Sequence, residues 1–178
     1  ELHIPDGLYV FTSSILIPEN ATDLMIDASP RARIEARFST TGSSGFVVNA
    51  NVTNAVNNTT RPRRITIRGG DWGRQYSAPL ADGSATVTFT GNIFAVYCDD
   101  LTLIDVQCNG LGPNGRYISG GGDRWRIFGF RGRFGTKAVT GSGGIRPVFG
   151  DDILVVGADI TCADDALQAV PADSALFA

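Results

Sequence analysis

A short pattern recurs five times along the chain and constrains its fold more than any other feature. It is an apolar residue, a spacer and a second apolar residue, often followed by Gly or another small residue. It reads LMIDA (24–28), ITIRG (65–69), LTLID (101–105), WRIFG (125–129) and ILVVG (153–157), with first positions 41, 36, 24 and 28 residues apart. Polar turn residues usually stand just before it: Asp23, Asp99-Asp100, Asp123 and Asp151-Asp152.

Two further sets run alongside. FVV (46–48), FAV (94–96), YIS (117–119), GIRPV (144–148) and ALQAV (166–170) form one; with Phe94, Ile118, Ile145 and Leu167 as equivalents, the spacings are 24, 27 and 22. DVQC (105–108), GFRG (129–132) and ADITC (158–162) form the other. Three short strands per repeat of about two dozen residues, with irregular insertions, is the pattern of a parallel β-helix. Each coil lays its strands on those of the coil before, so inward positions stack as apolar columns while turns vary in length. On this reading 29–45, 49–62 and 71–88 are insertions. A β-sandwich is the alternative; it would favour two-residue Asn-Gly or Asp-Gly turns, which are scarce here.

The charged residues agree with a β-rich, turn-rich chain. There are 15 Asp against 3 Glu and 14 Arg against the single Lys137. Glu and Lys favour helices, whereas Asp favours turns. The 22 Gly fit the same picture. A net charge of −3 argues against nucleic acid or an anionic membrane as partner. No run of 18 apolar residues is present, so membrane insertion is not expected. The three cysteines, Cys98, Cys108 and Cys162, lack the C-x-x-C spacing of a metal knuckle and read as buried free thiols. Cys108 and Cys162 take the same place in coils two apart, about 10 Å from each other, which makes them members of one column and too far apart for a disulfide. Four Asn-x-Ser/Thr matches (Asn20, Asn51, Asn57 and Asn58) are ordinary in an Asn- and Thr-rich chain.

The opening LHIPDGLYVFTSSILIPENATDLMIDASP (2–30) resembles the first coil of the pectin-lyase-like right-handed β-helix superfamily. That resemblance implies one all-β domain over residues 1–178, a right-handed parallel β-helix of about seven coils. The superfamily includes pectate lyases, polygalacturonases and trimeric phage tailspikes or fibres. By resemblance, the chain is expected to be a tail or head fibre segment, or a similar secreted surface protein. It would recognise host surface polysaccharide as a homotrimer, with other virion proteins as further candidate partners, in a virion or outside the cell. Residues 174–178 supply no polar or helical cap, so the chain reads as a piece of a longer protein.

Chemistry concentrates near the end of the chain. In polygalacturonases an Asn-Thr-Asp element and, one coil later, a Gly-Asp-Asp-Cys element set three carboxylates in a groove for inverting hydrolysis. ADDALQA resembles the second element, so Asp164 and Asp165 are the catalytic candidates; adjacent carboxylates push one pKa up, keeping an acid protonated beside an ionised base. The first element does not match: Gly143 falls where its Asp would be. Asp99-Asp100 and Asp151-Asp152 are doublets of the same form, and Asp that caps backbone N–H groups at a repeated corner accounts for all three equally well. Ala95, Ser119, Arg146 and Gln168 fall next to the aligned core positions and face outward. Arg146 and Gln168 become substrate-binding candidates, with a structural Arg146–Asp165 pair as the other reading. Arg124, Arg126, Arg131 and Arg133, with Trp125 and Phe134, read as a second patch, in which Trp125 would stack on a sugar or face another subunit. His3 is the one histidine, which excludes a Ser-His-Asp triad or multi-His metal site within the chain. GGGD (120–123) and GSGG (141–144) lack the strand-to-helix setting of a phosphate site, and no cofactor is implied.

Overall fold

In the computed structural model, which describes residues 1–38, 45–73, 78–79, 86–87, 92–110, 115–133, 143–162 and 164–168, the recurring motifs are strands stacked on one another. The first coil comprises β1 (Leu2–Ile4), β2 (Gly7–Phe11) and β3 (Ile15–Ile17). The second comprises β4 (Met25–Ala28), β5 (Ala32–Ala36) and β6 (Gly45–Asn49), followed by the short helix α1 (Val52–Val56). The third runs through β7 (Arg63–Arg68) and β8 (Asp71–Gly73), a small antiparallel hairpin of β9 (Ala78–Pro79) and β10 (Thr86–Val87), and β11 (Asn92–Tyr97). The fourth comprises β12 (Asp99–Ile104), β13 (Gln107–Asn109) and β14 (Arg116–Gly121). The fifth holds β15 (Arg126–Phe128), β16 (Arg131–Arg133) and β17 (Gly143–Phe149), and the sixth β18 (Leu154–Val156) and β19 (Asp159–Ile160).

Each coil visits three parallel sheets in the same order. The first sheet is β1-β4-β7-β12-β15-β18, the second β2-β5-β8-β13-β16-β19, and the third β3-β6-β11-β14-β17. A single bridge from Ile145 to Leu167 gives the third sheet its sixth level, completing the coil that holds β18 and β19. The fold is a right-handed parallel β-helix, and the described residues make six coils of it, the sixth reaching the third sheet only through that bridge.

Apolar columns give the register. Ile26 lies beside Ile67, Ile67 beside Leu103, Leu103 beside Ile127 and Ile127 beside Val155. The expected equivalence of Phe94, Ile118, Ile145 and Leu167 is the observed pairing. Two stretches read as insertions hold strands instead: β5 within 29–45 and β8 within 71–88. β5 alternates buried Ala32, Ile34 and Ala36 with outward Arg33 and Glu35, and β8 buries Trp72.

The cysteine column also needs correction. Cys108 pairs with Gly132, and Gly132 with Ile160, so Ile160 takes the column position and Cys162 stands two residues further on. The Tyr117 ring fills the space at Gly132, where a Cβ would lie 2.5 Å from it, and its hydroxyl donates to the Thr161 carbonyl at 3.0 Å. All three thiols are free, with Cys98 and Cys108 buried. Burial pushes the Cys98 thiol up to about 12 and Cys108 well above the ordinary thiol range, so neither is a thiolate nucleophile at neutral pH.

Two corners repeat their backbone conformation. At the entrance to each first-sheet strand from the second coil on stands a left-handed residue: Asp23, Arg64, Asp100, Arg124 and Asp152, with φ of 58°, 54°, 57°, 58° and 59°, Arg64 and Asp100 being the second residues of β7 and β12. For non-Gly residues this costs on the order of 1 kcal/mol each, so something must offset it. Ion pairs along the column do. Arg64 forks onto Asp23 at 2.6 and 2.8 Å, Arg124 onto Asp100 at 2.5 and 2.9 Å, and Asp152 is met by Arg126. Between the first and second sheets the left-handed residues are Gly69, Gly70, Asp105, Gly129 and Gly157. At Gly69 a Cβ would lie 2.1 Å from the Ala28 carbonyl oxygen of the coil before, so no side chain fits there.

Candidate functional site

The outer face of the third sheet carries one continuous file of side chains. Register places Leu16, Val48, Ala95, Ser119 and Arg146 side by side on successive strands. Gln168 extends the file, since its N–H donates to the Ile145 carbonyl at 3.0 Å beside the Ile145–Leu167 bridge. The four residues expected in this file, Ala95, Ser119, Arg146 and Gln168, are therefore neighbours one coil apart. Its character changes along the solenoid, from apolar at Leu16 and Val48 to polar from Ser119 onward.

Arg146 and Gln168 are only partly exposed, and each holds a buried polar atom without a hydrogen-bond partner among the described residues: Nε of Arg146, a donor, and Oε1 of Gln168, an acceptor. Unmet buried donors and acceptors cost roughly 1–3 kcal/mol each, which a ligand can recover. The Arg146 charge acts on Tyr97, one of an aromatic pair that sequence reasoning did not single out. The register of β14 against β17 shifts at Gly120/Gly121, so that Gly121 pairs with Phe149 across a bulge. That bulge turns the Phe149 ring over Gly121, where a Cβ would lie 2.8 Å from it. Beyond Gly121, Tyr97 stacks on Phe149 with centroids 5.8 Å apart and planes 24° from parallel. Burial pushes the Tyr97 phenol up, and the Arg146 charge pulls it partly back.

Arg61 closes the other side of the pair. Its guanidinium lies 5.0 Å from the Phe149 centroid and donates to Asp99 Oδ1 at 3.1 Å and to the Ala55 and Val56 carbonyls of α1 at 2.9 and 3.1 Å. Arg61 and Asp99 are each 9% exposed at the side chain, making this a largely buried ion pair. The doublet Asp99-Asp100 and the Arg61 two positions before β7 were the available sequence signals, but nothing in spacing announces that they meet.

Asp164 and Asp165 are both exposed, at the entrance to the Leu167 bridge. Asp164 Oδ2 is 3.5 Å from Arg116 Nη2, and Asp165 offers its backbone carbonyl to the Gly144 N–H at 2.9 Å. Among the described residues the ion pair at this doublet runs from Arg116 to Asp164, not from Arg146 to Asp165. The Arg116 side chain also lies over Gly143, where a Cβ would sit 2.7 Å from it. The position that would hold a further catalytic carboxylate is thus covered by an arginine already facing Asp164.

Trp125 is not a surface residue. It is fully buried, and its indole N–H donates to the Cys98 carbonyl at 2.8 Å, so it offers no face to a sugar or a subunit. Its position equals that of Leu101 one coil earlier, an inward column that overrides its Arg-rich surroundings. The arginines around it separate: Arg124 and Arg126 belong to the first sheet's corner and outer face, Arg131 and Arg133 to the second sheet. Phe134 lies outside the described residues. The second sheet's outer face holds another polar group, where Glu35 accepts from Arg33 and Arg37 and Asp71 accepts from Asn109. Burial holds Asp71 above the usual carboxylate range.

No family model, curated protein or solved structure matches this chain. The surface itself therefore carries the functional reading.

Proposed function

We propose that the chain is a polysaccharide-recognising β-helix that binds a glycan along the outer face of its third sheet, at Tyr97, Phe149, Arg146 and Gln168. The observation that carries this is the stacked Tyr97–Phe149 pair on the strand face shared with Arg146 and Gln168, whose buried Nε and Oε1 atoms have no hydrogen-bond partner among the described residues. Aromatic faces pack against the C–H face of a sugar ring, while an arginine and an amide meet hydroxyls and carboxylates through directed hydrogen bonds. The resemblance of residues 2–30 to the pectin-lyase-like superfamily adds the setting: a tail or head fibre or tailspike, homotrimeric, facing host surface polysaccharide. Recognition without cleavage is favoured over hydrolysis because Arg116 both pairs with Asp164 and covers Gly143.

The test is binding of an acidic polysaccharide, polygalacturonate for a first probe, followed by calorimetry on wild type, Arg146→Gln and Phe149→Leu. Both variants should keep the wild-type melting temperature within a few degrees and lose most of the affinity. Unchanged binding in both would remove the proposal. New reducing ends that disappear in Asp165→Asn would replace recognition with hydrolysis.

A further inference from the structure

A separate cleft of about 240 Å³ opens at the corner between the third and first sheets, lined by Asn20, Thr22, Asn58, Thr59, Arg61 and Arg63. Every lining side chain is polar, whereas pockets for drug-sized organic ligands are mostly apolar and run from roughly 300 Å³ upward. The space therefore suits one small polar group.

Its walls are built, not incidental. Asn20 and Asn58 both adopt left-handed backbone, with φ of 55° and 60°. The two corners are tied by Asn20 N–H to the Thr60 carbonyl at 3.0 Å and Arg63 N–H to the Ala21 carbonyl at 2.9 Å. Arg61 is fixed from behind by Asp99, α1 and Phe149, and it spends three of its five N–H donors there. Arg63 is 54% exposed at the side chain and approaches Asp99 only at 4.0 Å, which leaves its fork available. Thr60, between two lining residues, carries a buried hydroxyl without a partner.

The charges lining the cleft are Arg61 and Arg63, and Asp99, buried behind them, offsets one, a surplus of one positive charge; Asp23, which takes the Thr22 hydroxyl, is already neutralised by Arg64. Donors outnumber acceptors. We infer that this cleft is an oxyanion site, taking a carboxylate or sulfate group, with Arg63 as the principal ligand-facing residue and Arg61 as its fixed backing charge. The group has two sources, a substituent on an acidic glycan or a free inorganic anion, and the chemistry is the same for both.

Nuclear magnetic resonance titration of the folded chain with sodium sulfate, oligogalacturonate and a neutral dextran oligomer tests the inference, with Arg63 Hε as the reporter. Sulfate and oligogalacturonate should shift it and dextran should not. Arg63→Gln should weaken both anions about tenfold, the loss of a hydrogen-bonded charge. Response to oligogalacturonate alone assigns the group to a sugar chain, and response to sulfate alone to a free anion. The inference is overturned if neither anion acts, if dextran acts equally, or if Arg63→Gln binds as wild type. Because sulfate is one arm and Arg63 lies outside the Tyr97–Phe149 surface, this outcome is independent of whether the third sheet binds polysaccharide.

Discussion

Asp99 and Asp123 stand one coil apart at the same corner, and the Asp99 carboxylate accepts the Asp123 backbone N–H at 3.0 Å. Asp123 does the same for Asp151, also at 3.0 Å. The two corner positions thus divide their labour: the first, Asp99 or Asp123, satisfies a backbone donor of the next coil, and the second, Asp100 or Arg124, takes the left-handed conformation. A buried carboxylate that also holds Arg61 is costly to remove. Asp99→Ala strands the guanidinium and should cost about 3–5 kcal/mol in urea unfolding, with Asp99→Asn costing less because it keeps an acceptor.

The exposed ion pairs at the corner have a pH and salt signature. Arg64 and Arg68 hold Asp23 and Asp27 below the usual carboxylate range, and Arg124 does so for Asp100. Depressed folded-state values mean that their stabilisation is present above the unfolded value, about 4, and is lost as pH falls through the folded one. The melting temperature should drop below pH 4, and that drop should shrink in 0.5 M salt because exposed pairs are screened. A drop independent of salt would contradict the assignment.

Asp71 behaves in the opposite sense. Its folded value is raised, burial being the main cause, so any stability it contributes is complete below the unfolded value and lost as pH rises through the folded one. Asp71→Asn keeps an oxygen for Asn109 and should be more stable than wild type at pH 7, the advantage vanishing near pH 3. Thermal melts of both proteins at the two pH values decide it.

Trp125 should matter for folding and not for binding. Trp125→Ala should cost about 3–5 kcal/mol, the range for emptying a large core site. Gly132→Ala should cost about 1–3 kcal/mol by driving a methyl group into the Tyr117 ring. Denaturant midpoints measure both.

The stacking register of the first and third sheets was legible because their inward positions are mostly Ile, Leu, Val or Phe in a recurring short pattern, and Leu24, Ile65, Leu101, Trp125 and Ile153 stack as that pattern aligns them although 24 to 41 residues separate them. Strand β8 was hidden because it has one inward side chain, Trp72, between Asp and Gly. Arg146 and Gln168 could be placed by counting along an aligned strand. Tyr97 and Phe149 could not, since a register shift that has no sequence marker brings their rings together. Trp125 looks like a surface residue among its charged neighbours, but its inward column position, level with Leu101, buries it. The Arg61–Asp99 contact joins residues 38 apart in sequence, a separation no local pattern reaches.

The left-handed corner has an arithmetic consequence. Its occupants run Asp23, Arg64, Asp100, Arg124 and Asp152, alternating in sign with every coil. Deleting one whole coil, such as residues 101–124, would set Asp100 against Asp152, like against like; deleting two, residues 65–124, would restore Asp beside Arg. The ladder gives the solenoid a parity, so that a length change by even numbers of coils preserves its electrostatics and an odd one does not.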